Sequence, residues 1–413
     1  MSWDAQLDAA TEAWSEFCRA LESTGAKALA ATLTHDEVDL AEGLRHLARM
    51  STLVLVGSLE NKDSLHPYLW PALDPHRKMG GDNPQGLYLS GPVNGTDTFR
   101  LRGTRGSARW VSIIVGQNGP PPFGAALFLP DLEVAEDGTF EVLVSPDPQP
   151  GNWLPTTTAS TGVLVRQFFA TPDAVEPMTL TLENLTHGDA LPRPLALGTA
   201  IAGVRRATAM FGAMVPMMQG ELLGKGGHAV NSFATDIGDP TSTSGGVPGG
   251  NAVTARWALA PDEALVVRVT PPKPCAYWDV QVGNGWYESF DYRHHFCGLT
   301  CEGAQLEPDG SVVLIVAERD PGVANWLETA GHGEGHIAIR WQLTEGNLPI
   351  PETTVVRVGE VAAVTGMAPV TRQERSRQRA LLAESFDARF GFTQCQQSSL
   401  MRPGSSPGEG EGP

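Results

Sequence analysis

Several things are scarce in this chain, and each shortage removes a class of protein. Five cysteines are scattered through 413 residues. That odd, sparse set is no secreted disulfide framework and fits reduced thiols in the cytoplasm. Cys297 and Cys301 lie four apart, and only Cys275 is near enough to extend them toward a zinc set, so buried thiols are the default. Basic residues are few, 29 Lys and Arg against 47 Asp and Glu, for a net charge of −18. Such a chain has no electrostatic footprint for nucleic acid and no attraction to an anionic membrane. No apolar run is long enough for a membrane span, and Met1-Ser2-Trp3-Asp4 does not open a signal peptide. No Gly-x-Ser-x-Gly elbow, phosphate loop or dinucleotide fingerprint occurs. Gly224-Lys225-Gly226-Gly227-His228 lacks the strand-loop-helix context of a phosphate loop. Neither an organic cofactor nor a metal is expected.

What is present is repetition. Asp137-Gly138, the run Phe140–Val144, Asp147-Pro148, Asn152-Trp153-Leu154 and Arg166 return in order as Asp309-Gly310, Val312–Val316, Asp320-Pro321, Asn325-Trp326-Leu327 and Arg340. Matching order and near-matching spacing indicate a duplicated β unit. Gly and Pro, 46 and 32 residues, supply the turns of a β-rich chain. Leu87-Tyr88-Leu89 is read as matching Leu265-Val266-Val267, and Phe99-Arg100 as matching Tyr277-Trp278. Arg166 and Arg340 are paired by expectation with Asp147 and Asp320. Asn94-Gly95 signals a hairpin returning through residues 98–103.

Helical periods flank and separate the β units. Trp3, Leu7, Ala10, Trp14, Phe17 and Leu21 predict a helix over 2–23, capped by Ser2 and followed by Gly25. A second helix over 35–59 starts at a Thr34 capping box and buries Leu40, Leu44, Leu47 and Val54. Residues 197–224 carry a broad apolar face that includes Met214 and Met218. A Gly/Ser/Thr/Pro loop at 237–251 follows. Residues 370–390 read as a polar helix or tail, and 397–413 as disordered. The expected fold is mainly β: duplicated antiparallel β-sandwich or jelly-roll-like halves with an N-terminal helical region and a connecting helix. The expected boundaries are 1–74 helical, 75–195 first β half, 196–252 connecting helix and loop, 253–366 second β half, and 367–413 helix and tail.

The segments EGLRHL (42–47), GGDNPQGLYLSGPVNG (80–95), FRLRGTRGSARW (99–110), GNWL (151–154), VRQFF (165–169), DPGVANWLETAGH (320–332) and IRW (339–341) carry a family resemblance. Over roughly residues 1–370 the chain resembles the uncharacterised bacterial domain-of-unknown-function 1214 family, related to the 1254 family. The resemblance implies a jelly-roll-like β fold and no established reaction. It also carries an association with lipid or steroid catabolism.

Candidate chemistry concentrates at a few places. His332-Gly333-Glu334-Gly335-His336 aligns two imidazoles and a carboxylate on one strand face, the makings of a metal site, although its glycines favour a turn that leaves His332 a polar contact or an acid/base. Asp82 is either an Asx-turn residue before Pro84 or a pocket carboxylate. His294 and His295 point opposite ways on a strand, so at most one serves a given site, beside Trp286 and Tyr292. The resulting expectation is non-redox processing of a small hydrophobic molecule of lipid, steroid or terpenoid type. His332, Asp82 and His294 are the catalytic candidates. Arg100, Arg102, Met214, Met218, Trp286 and Tyr292 are the binding candidates. The rival expectation is a non-catalytic ligand-binding or assembly protein, with homo-oligomerisation left open.

Overall fold

The computed structural model describes residues 1–391 except 33–35, 120, 188–190, 193, 224–228 and 234–249. The Thr34 cap, the 224–228 loop, most of the 237–251 linker and the 397–413 tail lie outside the described residues. Two helices open the chain, α1 (Trp3–Ala30) and α2 (Glu37–Leu59). Ser2 caps α1, and its Oγ accepts from Ala5 N. The Asp36 carboxylate caps α2 by accepting from Asp39 N.

The helices differ from expectation in length and in facing. Gly25 does not end α1, which continues over it to Ala30; a Cβ there would meet Leu47 of α2 at 3.3 Å. Trp3, Leu7 and Trp14 are exposed, whereas Ala13, Phe17 and Ala28 are buried. On α2, Leu40 and Leu44 are exposed, and His46, Met50 and Val54 face inward. The buried face is turned because the Trp286 ring sits against Gly43, where a Cβ would collide with it.

The first β half comprises β1 (Trp70–Leu73), β2 (Gly86–Pro92), β3 (Phe99–Thr104), β4 (Trp110–Gln117), β5 (Phe123–Phe128), β6 (Thr139–Ser145), β7 (Trp153–Pro155), β8 (Ser160–Phe168) and β9 (Thr179–Asn184). One sheet has the order β1-β2-β8-β4-β5, the other β7-β6-β3-β9. The helix α3 (Leu197–Leu223) then packs along both α1 and α2. The second half comprises β10 (Gly250–Ala258), β11 (Glu263–Val269), β12 (Tyr277–Gly283), β13 (Gly298–Thr300), β14 (Val312–Ala317), β15 (Trp326–Glu328), β16 (Glu334–Gln342) and β17 (Glu352–Arg357). Its sheets run β10-β16-β12-β13 and β15-β14-β11-β17. Helices α4 (Val361–Thr365) and α5 (Arg372–Phe390) close the described chain.

The two halves repeat strand for strand. β2, β3, β4, β5, β6, β7, β8 and β9 take the places of β10, β11, β12, β13, β14, β15, β16 and β17. This corrects the expected strand equivalences by one position, since β2 matches β10 and β3 matches β11. It also corrects the hairpin: β2 and β3 lie in different sheets. Asn94 turns the crossover by accepting from Thr96 N and Asp97 N. The repeated residues perform repeated tasks. Asp137 accepts from the Thr139 amide and hydroxyl, and Asp309 from those of Ser311. Asn152 Nδ2 donates to the Glu133 and Glu141 carbonyls; Asn325 Nδ2 donates to those of Gln305 and Val313. The Trp153 and Trp326 indoles donate to the Ser145 and Ala317 carbonyls.

Each half is a sandwich with its own core. Val111, Ile113, Val163 and Val165 fill the first with Leu101 and Val142. Val280, Val282, Ile337 and Ile339 fill the second with Leu265 and Leu314. The alternate residues of β4, β8, β12 and β16 face between the halves. There Trp110, Phe168 and Tyr277 pack together, and Asn83 donates to Asp279 at 3.0 Å.

Candidate functional site

The first half joins β4 to β5 with residues 118–122, but the second joins β12 to β13 with the longer segment 284–297. That segment gathers much of the candidate chemistry. Trp286 Nε1 donates to the Asp39 carbonyl at 2.9 Å, and its ring stacks on His46. Buried Glu288 accepts from Arg49 and pairs with His46 Nδ1 at 2.8 Å. Asp82 accepts from the Ser289 amide at 2.9 Å and its hydroxyl at 2.7 Å. Lys78 Nζ donates to the Ser289 and Phe290 carbonyls and lies over the Tyr292 ring.

The three predicted catalytic residues therefore meet one segment but not one another. Asp82 is occupied by Ser289. His332 packs on Phe290 at 4.7 Å, with Nδ1 on the Thr329 and Ala330 carbonyls. His294 is exposed and pairs with Asp291. The 332–336 metal reading is dispersed: Glu334 pairs with Arg256, and His336 Nδ1 bonds the Asn284 carbonyl. Among the described residues, no group of three His, Cys, Asp or Glu side chains is placed to hold a metal ion. Arg100 and Arg102 pair with Glu183 on the outer face of β3, away from the second half. Met214 packs in the helical core, and Met218 is buried beside Gly80.

Tyr292 reaches a different place. A cavity of about 350 Å³ lies where the two halves meet under α5. Phe169, Tyr292, Phe296, Leu299, Trp326 and Leu382 form its apolar wall. Gln85, His295, Thr300, Arg375 and Arg389 are among its polar residues. Three ion pairs hold α5 over it: Arg375 with Asp320, Arg379 with Glu328, and Asp387 with Arg293. His295, not His294, is the imidazole on this wall, with Nδ1 at 2.9 Å from Glu328 Oε2. Burial pushes the Glu328 carboxyl up, but hydrogen bonds from His295 and Arg379 outweigh it and hold it low. An Nδ1–H given to that carboxylate leaves Nε2 as a proton acceptor. Cys297 also lines the cavity, with burial pushing its thiol up to about 12, so it stays protonated.

The duplicated arginines depart from expectation too. Arg340 Nη1 bonds Asp279 Oδ1 at 3.1 Å, not Asp320, which Arg375 holds. Arg166 Nε bonds Ser112 Oγ at 2.9 Å, and its buried Nη2 has no partner among the described residues. Sequence reasoning missed Arg375, Arg389 and Phe169 as cavity residues, and Glu328 as the carboxylate behind His295. The available signal was in 370–390: Thr371 caps at Glu374 N, and Leu381, Leu382, Ser385 and Arg389 recur at helical spacing.

No helix among the described residues is long and apolar enough to cross a membrane. No curated protein matches the chain. Residues 92–172 match the family model described as Protein of unknown function (DUF1214). An uncharacterised protein of Burkholderia cenocepacia of known structure is 32% identical, with 84% of this chain and 97% of that one covered and a TM-score of 0.77. A Vibrio parahaemolyticus protein is 11% identical over 75% of this chain and 99% of that one, with a TM-score of 0.46. The repeated sandwiches and the match along nearly the whole Burkholderia protein thus have one conclusion: this chain belongs to the DUF1214 family of proteins of unknown function.

Proposed function

We propose that the protein binds a small hydrophobic molecule, of lipid, steroid or terpenoid type, in the cavity beneath α5. The observation that carries the reading is the cavity itself, at about 350 Å³ within the range of ligand pockets and walled by aromatic and aliphatic side chains around a few polar atoms. The pairing of His295 with Glu328 supports non-redox proton transfer on the bound molecule, the chemistry of isomerisation, hydration or hydrolysis. Plain binding without turnover is the second reading. It is favoured by the structural engagement of Asp82 and His332 and by the exposure of His294.

The test is native mass spectrometry of the purified chain beside Leu382→Trp, which fills the cavity. A co-purified apolar molecule should be present in the wild type and absent from a folded Leu382→Trp. Equal retention by both proteins would place the ligand elsewhere and end the reading. Wild type that releases added ligand chemically unaltered would leave binding alone. Turnover unchanged in His295→Gln would remove the proton-transfer role.

A further inference from the structure

The cavity has an unusual charge pattern for so acidic a chain. Asp and Glu outnumber Lys and Arg by 47 to 29, yet no Asp or Glu is among the described residues that line it, while two arginines and a histidine are. Two of those three groups are matched from behind the wall. Arg375 forms a two-pronged pair with Asp320, at 2.9 and 3.0 Å. His295 rests on Glu328, which also accepts from Arg379.

Arg389 is not matched. It is 3% exposed and, among the described residues, makes no ion pair with a carboxylate. Its Nε donates to the Ser385 carbonyl, and its Nη1 to the carbonyls of Pro84 and Gly86. Those carbonyls satisfy donors but supply no negative charge. None of these hydrogen bonds uses Nη2. The Tyr292 and Phe390 rings flank the guanidinium at 5.6 and 5.3 Å. A buried guanidinium without a counter-charge is costly, and a ligand can supply that charge from the cavity that Arg389 lines. Gln85 adds a second polar group to the same wall.

We infer that the cavity selects an apolar carboxylate, with its anionic head on Arg389 and its hydrocarbon body against Phe169, Phe296, Trp326 and Leu382. This rests on the cavity being the binding site and chooses an acid over the corresponding alcohol. The arginine suits a carboxylate because its Nη2, which the backbone carbonyls do not use, can give a charge-assisted hydrogen bond to an anionic oxygen. The tail is held by burial alone, so chain length would set affinity while Arg389 sets charge selectivity.

The experiment is calorimetric titration of the delipidated full chain with linear acids from hexanoate to dodecanoate and with the matching 1-alkanols. Wild type should prefer the acid over the alcohol of equal length by about tenfold or more, the size of a charge-assisted hydrogen bond. Arg389→Gln should reduce that preference to about twofold or less with alcohol affinity kept, and Arg389→Lys should restore part of it. Because Arg389 also anchors residues 84–86, the wild-type comparison of acid with alcohol decides the matter even where the variants fail to fold. Equal affinity for acid and alcohol, with both lost in Leu382→Trp, would overturn the inference and leave the cavity reading standing. Binding of neither series, or binding untouched by Leu382→Trp, would overturn the cavity reading and the inference with it.

Discussion

Arg166 and Arg340 hold the same place in the two β halves but in different electrostatic surroundings. Each faces its partner across the central ladder, Arg340 opposite Asp279 and Arg166 opposite Ser112. Where the second half supplies a carboxylate, the first supplies a hydroxyl. Burial pulls the Arg166 guanidinium down to about 10, whereas at Arg340 burial is outweighed by the Asp279 charge, which holds the group above its ordinary value. The duplication thus preserved the strands and diversified what they carry. The loops differ in the same way: the β4–β5 connection is short, while 284–297 dock the helices and wall the cavity. A copied scaffold already supplies the backbone hydrogen bonds, so one copy can exchange loops without rebuilding its core.

The largest test of that contrast is Arg340→Ala against Arg166→Met. Removing Arg340 strands Asp279 in the interior, at a cost of about 3–5 kcal/mol. Removing Arg166 strands no carboxylate, so Arg166→Met should stay within about 1 kcal/mol of wild type. Urea unfolding of both variants measures the difference, and equal losses would show that the two sites are electrostatically alike.

His336 sharpens the comparison through pH. Burial lowers its imidazole from 6.5 to about 4, so the folded state keeps it neutral while the unfolded state takes up a proton. Stability should therefore fall as pH drops from 6.5 toward 4, by up to on the order of 3 kcal/mol, and level off below. In His336→Gln that part of the slope should vanish. A slope that survives the substitution would assign the dependence to other groups.

A smaller contrast lies in the repeated asparagines. Asn325 is buried and serves the Val313 carbonyl, so Asn325→Ala should cost about 1–3 kcal/mol. Asn152, at a wetter position, should cost less, about 1 kcal/mol, in the same urea series. Equal costs would mean that solvent does not replace the lost bonds in the first half.

Much of the fold was legible in the residues, and much of the site was not. The Asp-Gly and Asn-Trp landmarks revealed the duplication because each acts locally: Asp137 and Asp309 cap turns two residues ahead, and Gly138 and Gly310 take φ of 81° and 83°. Helical period placed α1, α2 and α3. It misassigned the buried side of α2, since Trp286, more than two hundred residues away, decides which face Gly43 presents. Tyr292, a binding candidate from the sequence, lines the cavity, but His295 could not be told from His294 by alternation alone. The two lie in a turn, not on a strand, and Glu328 of β15 makes that choice.

The sequence by itself determined the repeat, the turns, the helices and the acidic surface, because these depend on neighbours in the chain and on summed charge. Only the tertiary structure decided which charges are matched. Asp320 went to Arg375 and Asp279 to Arg340, while Arg389, which lines the cavity, has no carboxylate partner among the described residues. Ion pairing in a low-dielectric interior depends on distance through space and on burial, and neither is written in the spacing of residues along the chain.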